Sequence, residues 1–182
     1  MRGKGNRSPK AYSGVEQLEF GEFYRAGQSA CLRAVLVSVG DRQLAEDLVA
    51  EAFTKAWMSW PTVSRHPSPY GWVVRTALNT RLSWWRRRRR EVALTGHDAL
   101  VDTQGAAGVI DPAFIDPGLV NALRRLPRRQ QEVIVLRVFL DLDTRATADA
   151  LGIAEGTVGV HLSRGLASLR HDLSRQAVEI DS

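Results

Sequence analysis

Apolar residues recur at helical spacing along most of the chain, and no segment alternates with period two. Phe20, Tyr24, Gly27, Cys31, Val35 and Val39, widened by Phe23, Leu32 and Leu36, make one face of a first helix beginning near Val15. Gly40-Asp41 interrupts that stripe. Asp41 is placed to cap a second helix with an inner face of Leu44, Leu48, Ala52, Ala56 and Trp60, and Pro61 ends it. A loop over 62–66 leads to Pro67-Ser68-Pro69. There Ser68 reads as the cap, and Pro69 as the first residue, of a third helix reaching about Arg90. Residues 93–118 lack a usable period and hold Gly105-Ala106-Ala107-Gly108, Asp111-Pro112 and Asp116-Pro117-Gly118, the composition of a linker. Periodicity resumes with Leu119, Leu123 and Leu126. Pro127 opens a further helix through Phe139, and two short helices split at Leu151-Gly152-Ile153 follow. The pattern predicts an all-α fold with two small helical domains, 16–92 and 119–176, joined by a flexible acidic linker over 93–118. Residues 1–15 are expected to be a disordered basic tail, and 177–182 a short tail.

Charge sharpens this division. Residues 1–90 carry 16 Lys/Arg against 7 Asp/Glu, 91–118 carry none against 5 (Glu91, Asp98, Asp102, Asp111, Asp116), and 119–182 carry 9 against 8. A basic block, an acidic strip and a mixed block fit two domains and a linker. No apolar run reaches the roughly 18 residues of a membrane span, and Met1 to Ser13 lacks the apolar stretch of a secretory signal. The single cysteine, Cys31, lies on the apolar stripe and reads as a small buried hydrophobe. These features together suit a cytoplasmic protein.

Placed 100° apart, Arg75, Asn79, Ser83, Arg86 and Arg90 share one face of the third helix, opposite Val73, Val74, Ala77, Leu78, Trp84 and Trp85. Trp84 and Trp85 are therefore expected as core anchors rather than base-stacking platforms. Trp72 projects near the polar face, where it either stacks on a base or packs under the preceding loop. The five arginines Arg86 to Arg90 exceed what a solvated helix end needs, and a phosphate-tracking surface accounts for them better. Such contacts position a protein on DNA without reading sequence. Thr76 and Asn79, with neutral hydrogen-bonding groups, are better placed to read bases.

The segment Leu142 to Arg164 fits a helix-turn-helix. Ala148 is small where two helices cross, Gly152 suits a left-handed turn, and Ile153, Val158 and Leu162 are apolar pins. The second helix would present Glu155, Gly156, Thr157, Gly159, Val160, Ser163 and Arg164 to a major groove. His66, His97, His161 and His171 are scattered without metal spacing. No catalytic, metal or cofactor site is expected, and the chain does not read as an enzyme.

These motifs resemble those of extracytoplasmic-function sigma factors, whose second region is similar to Asp41 through Phe53. Their promoter-melting helix is similar to Pro69 through Asn79 with Ser83-Trp84-Trp85 and the arginine run, an ending that looks like an actinobacterial subgroup. Their domain four is similar to Leu126 through Val133 with the helix-turn-helix. The resemblance covers about residues 16–92 and 119–175. It implies a sigma factor that binds core RNA polymerase and directs promoter-specific initiation. Asp41, Glu46, Asp47 and Glu51 would dock on the clamp helices of the largest subunit. The melting helix would hold non-template bases of the minus-ten element. Domain four would read the minus-thirty-five element and touch the flap of the second subunit. An anti-sigma factor is a further candidate partner. With no sensor domain expected, control falls to a partner, to expression level or to docking of the domains across the linker. The competing reading is a stand-alone helix-turn-helix regulator, against which stands the sigma-like first half.

Several positions depart from the family pattern. Ala50 stands where Gln is usual, Ala146 where Glu would complete a capping box with Asp143, and Ala154 where Ser would cap the second helix. Gly159-Val160-His161 replaces a Lys-Ser-Arg-like triplet. Weak or unusual minus-thirty-five recognition is expected, with a marginally stable domain four. For the arginine run, replacing Arg86, Arg87 and Arg88 by Ala should weaken open-complex formation and flatten its dependence on salt. An unchanged salt slope would return the run to a solvated helix end.

Overall fold

The computed structural model describes residues 14–95 and 116–180, with side chains in the basic helix described only as far as Trp84. Among the described residues every regular element is helical. The helices are α1 Gly14–Val39, α2 Arg42–Met58, α3 Trp60–Val63, α4 Pro69–Thr95, α5 Pro117–Arg125, α6 Arg128–Ile134, α7 Thr144–Leu151 and α8 Glu155–Ile180. A π-helical turn, Val135–Phe139, continues α6.

The punctuation between helices follows local chemistry. Gly40, at φ 71°, takes the left-handed turn that closes α1 and donates its N–H to the Leu36 carbonyl at 2.8 Å. Asp41 is extended, and its carboxylate accepts from the Leu44 N–H at 2.9 Å, so it caps α2 as expected. Pro61 does not end a helix. α2 stops at Met58, and Pro61 sits in the first turn of α3, where a missing N–H costs nothing. Trp60 and the start of the expected loop are therefore helical. Ser68 precedes α4, but its hydroxyl is buried without a partner instead of capping, while its N–H donates to His66 Nδ1 at 2.9 Å. α4 continues past Arg90 to Thr95. Asp116-Pro117 is a cap and first turn rather than linker, because the Asp116 carboxylate accepts from the Leu119 N–H at 2.7 Å. Residues 96–115, which hold most of the expected linker, lie outside the described residues. The last helix is long, 26 residues, because Leu162, Leu166, Leu169 and Leu173 extend its apolar stripe.

α1, α2 and α4 pack around Cys31, Val35, Leu48, Ala52, Val73, Val74 and Ala77, all fully buried. Burial pushes the Cys31 thiol up to about 12, so it stays protonated and packs as a hydrophobe. An aromatic cluster closes one end. Phe23 and Tyr70 stack with centroids 4.5 Å apart, Phe20 meets the edge of Trp60, and the Tyr70 hydroxyl donates to the Phe23 carbonyl at 3.1 Å. In the second half, α5, α6, α7 and α8 enclose Val120, Leu123, Val133, Ile134, Leu136, Leu151 and Val158. The two cores join into one apolar cluster. The end of α1 meets α5 and the π-helical turn, and α4 meets α7.

Tyr70 lies so close to the α1 backbone that a Cβ on Gly27 would stand 1.9 Å from its ring. Gly27→Ala must displace that ring from both its stack and its hydrogen bond. A loss of about 1–3 kcal/mol is expected from overpacking alone, visible as a lower urea midpoint; an unchanged midpoint would show that the ring moves freely.

Candidate nucleic-acid interface

One face of α4 builds the N-terminal core, and the other builds a site. Val73, Val74, Ala77 and Leu78 are buried as the periodicity predicts, Arg75 and Thr76 are half-buried, and Asn79 and Ser83 are exposed. Between α4 and α2 lies an open cleft of about 250 Å³ lined by Glu51, Lys55, Thr76, Asn79, Thr80, Ser83 and Trp84. Lys55 Nζ is 2.7 Å from Glu51 Oε1 and donates to Thr80 Oγ1 at 2.9 Å, which fixes the ammonium in the cleft wall. Hydroxyls, an amide and an indole thus converge on a space open to solvent, the mixture of donors, acceptors and flat apolar surface that an unstacked base requires.

Trp84 corrects the sequence reading, for it is 44% exposed rather than a core anchor. Arg81 donates to the Ser38 carbonyl, in the last turn of α1, at 3.1 Å. Residue 84 is about one turn further on, past the end of α1, and lines the open cleft beside α2. Trp72 takes the packing alternative, half-buried against the apolar core. Arg86, Arg87, Arg88 and Arg90 fall on the helical continuation of α4, and their side chains, with that of Trp85, lie outside the described ones.

The polar face of α4 also meets the C-terminal unit. Arg75 Nη1 donates to the Ala150 carbonyl at 2.7 Å. That carbonyl belongs to the last turn of α7, which has no partner within its own helix and where the dipole favours a cation. Asn79 Oδ1 accepts from Arg128 Nη2 at 2.7 Å. Gln131 Nε2 donates to the Ser38 carbonyl at 3.2 Å. A Cβ on Gly71 would stand 2.8 Å from the Ala150 Cβ, so the backbones approach closely there. Buried Glu132 holds Arg128 at 2.6 Å and Arg129 at 3.0 Å, which aims the Arg128 guanidinium at Asn79. Sequence reasoning missed Arg128 and Lys55, since each acts through a partner on another helix.

The acidic residues of α2 are individually engaged. Asp41 caps the helix, Glu46 pairs with Arg42 at 2.9 Å, Gln43 donates to Asp47 at 3.1 Å, and Glu51 pairs with Lys55. Pairs of this exposed kind are worth roughly 0.3–0.5 kcal/mol on a helix, so an incoming cation can replace them.

In the helix-turn-helix, the Asp143 carboxylate accepts from the Ala146 N–H at 2.7 Å, so α7 is capped although the reciprocal glutamate is missing. Gly152 is left-handed, at φ 63° and ψ 45°. Val158 is buried and pins α8, while Glu155, Gly156, Thr157, Gly159, Val160, Ser163 and Arg164 are all exposed on its outer side. Arg164 is the one cation of that set. No group of residues that could hold a metal occurs among the described residues, and no described helix is long and apolar enough to cross a membrane.

A basic helix bearing a base-sized cleft, followed by a helix-turn-helix, defines a two-unit helical DNA-binding protein. Comparison with known families makes this specific. The family model "Sigma-70 region 2" matches residues 23–91, and "Sigma-70, region 4" matches residues 118–169. The RNA polymerase sigma-E factor of Streptomyces avermitilis is 34% identical over 166 residues, 90% of each chain. That of Streptomyces coelicolor is 34% identical over 160 residues, 87% of this chain and 88% of the relative. Among solved structures, the sigma factor RpoE in complex with the anti-sigma factor NepR from Bartonella quintana is similar, with a TM-score of 0.68 at 23% identity over 86% of this chain and 97% of that one. CnrH in complex with the cytosolic domain of CnrY gives a TM-score of 0.60 at 20% identity over 87% of this chain and 90% of that one. The chain belongs to the sigma-70 family of RNA polymerase sigma factors, in its extracytoplasmic-function branch.

A Cβ on Gly159 would meet nothing within 4 Å, so packing gives no reason for a glycine there. Gly159→Ala should raise stability by about 0.5–1 kcal/mol through helix propensity. Urea unfolding checks this; a lowered midpoint would mean that the position is constrained by something other than its helix.

Proposed function

We propose that the chain is the promoter-specificity subunit of RNA polymerase and that the cleft between α2 and α4 captures a melted base of the minus-ten non-template strand. The observation that carries this reading is the convergence of Thr76, Asn79, Ser83 and Trp84 on one open cleft. Taking a base out of the duplex costs a few kcal/mol. Stacking on an aromatic ring returns roughly 1–3 kcal/mol per base, so Trp84 with the hydrogen-bonding groups beside it offsets the cost without covalent chemistry. The sequence-expected arginine run would hold the adjoining phosphates, and Arg75 would join them when free of Ala150. Asn79, with both donor and acceptor, discriminates between bases.

Core polymerase engages the outer face of α2 through Asp41, Glu46, Asp47 and Glu51. The domain spanning 16–92 thus carries core binding and melting, and the one spanning 119–176 carries minus-thirty-five contact through α8. An anti-sigma factor is a further partner, supported by the solved complexes of similar proteins with such factors. The chain works in the cytoplasm and is not itself an enzyme.

Reconstitution tests the reading. The purified chain with core polymerase should yield promoter-specific run-off transcripts, and Asn79→Ala should change which minus-ten sequences are used. Tight specific DNA binding by the chain alone, with no transcription when core is added, would instead establish a stand-alone regulator. A uniform loss of affinity across all promoters would remove base reading from Asn79.

A further inference from the structure

Lys55 is the one cation among the residues lining the cleft between α2 and α4. It is half-buried on α2, and its ammonium is held at two points. Nζ lies 2.7 Å from Glu51 Oε1 and donates to Thr80 Oγ1, on α4, at 2.9 Å. An ammonium has three N–H donors and no acceptor. Two are taken, and the third has no protein acceptor among the described residues.

Structural support alone does not account for this arrangement. A Glu–Lys pair one turn apart contributes little to a helix and needs no tie to a second one. Thr80 is buried, and its hydroxyl needs a partner. A helical threonine finds one in the carbonyl a turn back, as Thr54 does with Ala50 at 2.9 Å. A phosphate seat is no better matched, because the Glu51 carboxylate beside Lys55 would repel the anion. A neutral base meets no such repulsion. Glu51 balances the charge of Lys55 and leaves its remaining donor.

We propose that Lys55 is a specificity-determining residue of this cleft, where its ammonium selects a keto base, thymine or guanine, over adenine or cytosine at the captured minus-ten position. The inference rests on the base-capture reading above and names the class of base the cleft takes. Thymine O4 and guanine O6 are acceptors, whereas adenine and cytosine carry amino donors at the matching places. A donor-only group set against an amino group leaves both unpaired. Glu51 and Thr80 are positioning residues, which keep the ammonium from swinging to another acceptor. Glu51, grouped above with the docking residues of α2, lines the cleft as well. Trp84 supplies a stacking surface that accepts any base, and Lys55 adds the edge contact that stacking lacks.

The test uses holoenzyme reconstituted from the full chain and core polymerase. The probe is a pool of single-stranded DNA randomised over the length of a minus-ten element, and the retained strands are sequenced. Wild type should enrich thymine or guanine about tenfold at one position, the scale of a single base contact. Lys55→Gln offers both a donor and an acceptor, so it should bring that position to near-equal use of the four bases while the other positions keep their preferences. Thr80→Val keeps the shape of Thr80 but releases the ammonium, and should relax the same position in part. Enrichment that survives Lys55→Gln would overturn the inference, as would a Lys55-dependent position that prefers adenine or cytosine. A loss of affinity shared by all sequences, with a smaller salt slope, would make Lys55 a phosphate contact and overturn it too. Should Lys55→Gln fail to bind core, Thr80→Val decides, and an unchanged preference there would overturn the inference. Failure of the base-capture reading looks different: no position is enriched even by wild type, and the inference falls with it.

Discussion

Arg75 and Asn79 carry hydrogen-bonding groups that lose free energy wherever they are covered without partners. Any surface laid on this face of α4 must therefore offer a complementary set. The C-terminal unit does so with the free carbonyl of Ala150 and the guanidinium of Arg128, and a DNA strand would do so with phosphates and base edges. Because both covers satisfy the same groups, exchanging one for the other changes the count of hydrogen bonds little. The opposite face of the same helix is fixed, since Val73, Val74 and Ala77 are fully buried.

That fixed face was legible from spacing. So were the caps at Asp41 and Asp143, the left-handed turn at Gly152 and the exposed outer side of α8, all of which depend on residues within a few positions of one another. Trp84 was misread because an apolar residue at core-facing angle is buried only if a helix lies opposite, and α1 ends before reaching it. Pro61 was misread because proline serves both just past a helix end and in the first turn of the next helix, and Ser68 because a serine before a helix need not turn its hydroxyl to the helix end. Arg128 and Lys55 were invisible because their partners, Asn79 and Thr80, are far away along the chain.

The two reading surfaces are unequal. Domain two has a shaped cleft with aromatic, amide and hydroxyl groups. The reading set expected on α8 has Arg164 as its one cation and two glycines at exposed positions whose Cβ atoms would meet nothing, and an alanine, Ala154, precedes the helix where a capping side chain is usual. Few phosphate contacts mean a small electrostatic contribution to affinity.

The central claim is that the face of α4 bearing Asn79, which meets Arg128 of α6 in the free chain, is the face proposed to hold the minus-ten strand. A photoreactive residue in place of Asn79 reports on it directly. In the free chain it should cross-link to α6, and in the presence of core polymerase and promoter it should cross-link to the minus-ten non-template strand instead. Cross-linking to α6 that persists undiminished in the open complex, with no cross-link to the strand, would contradict the account.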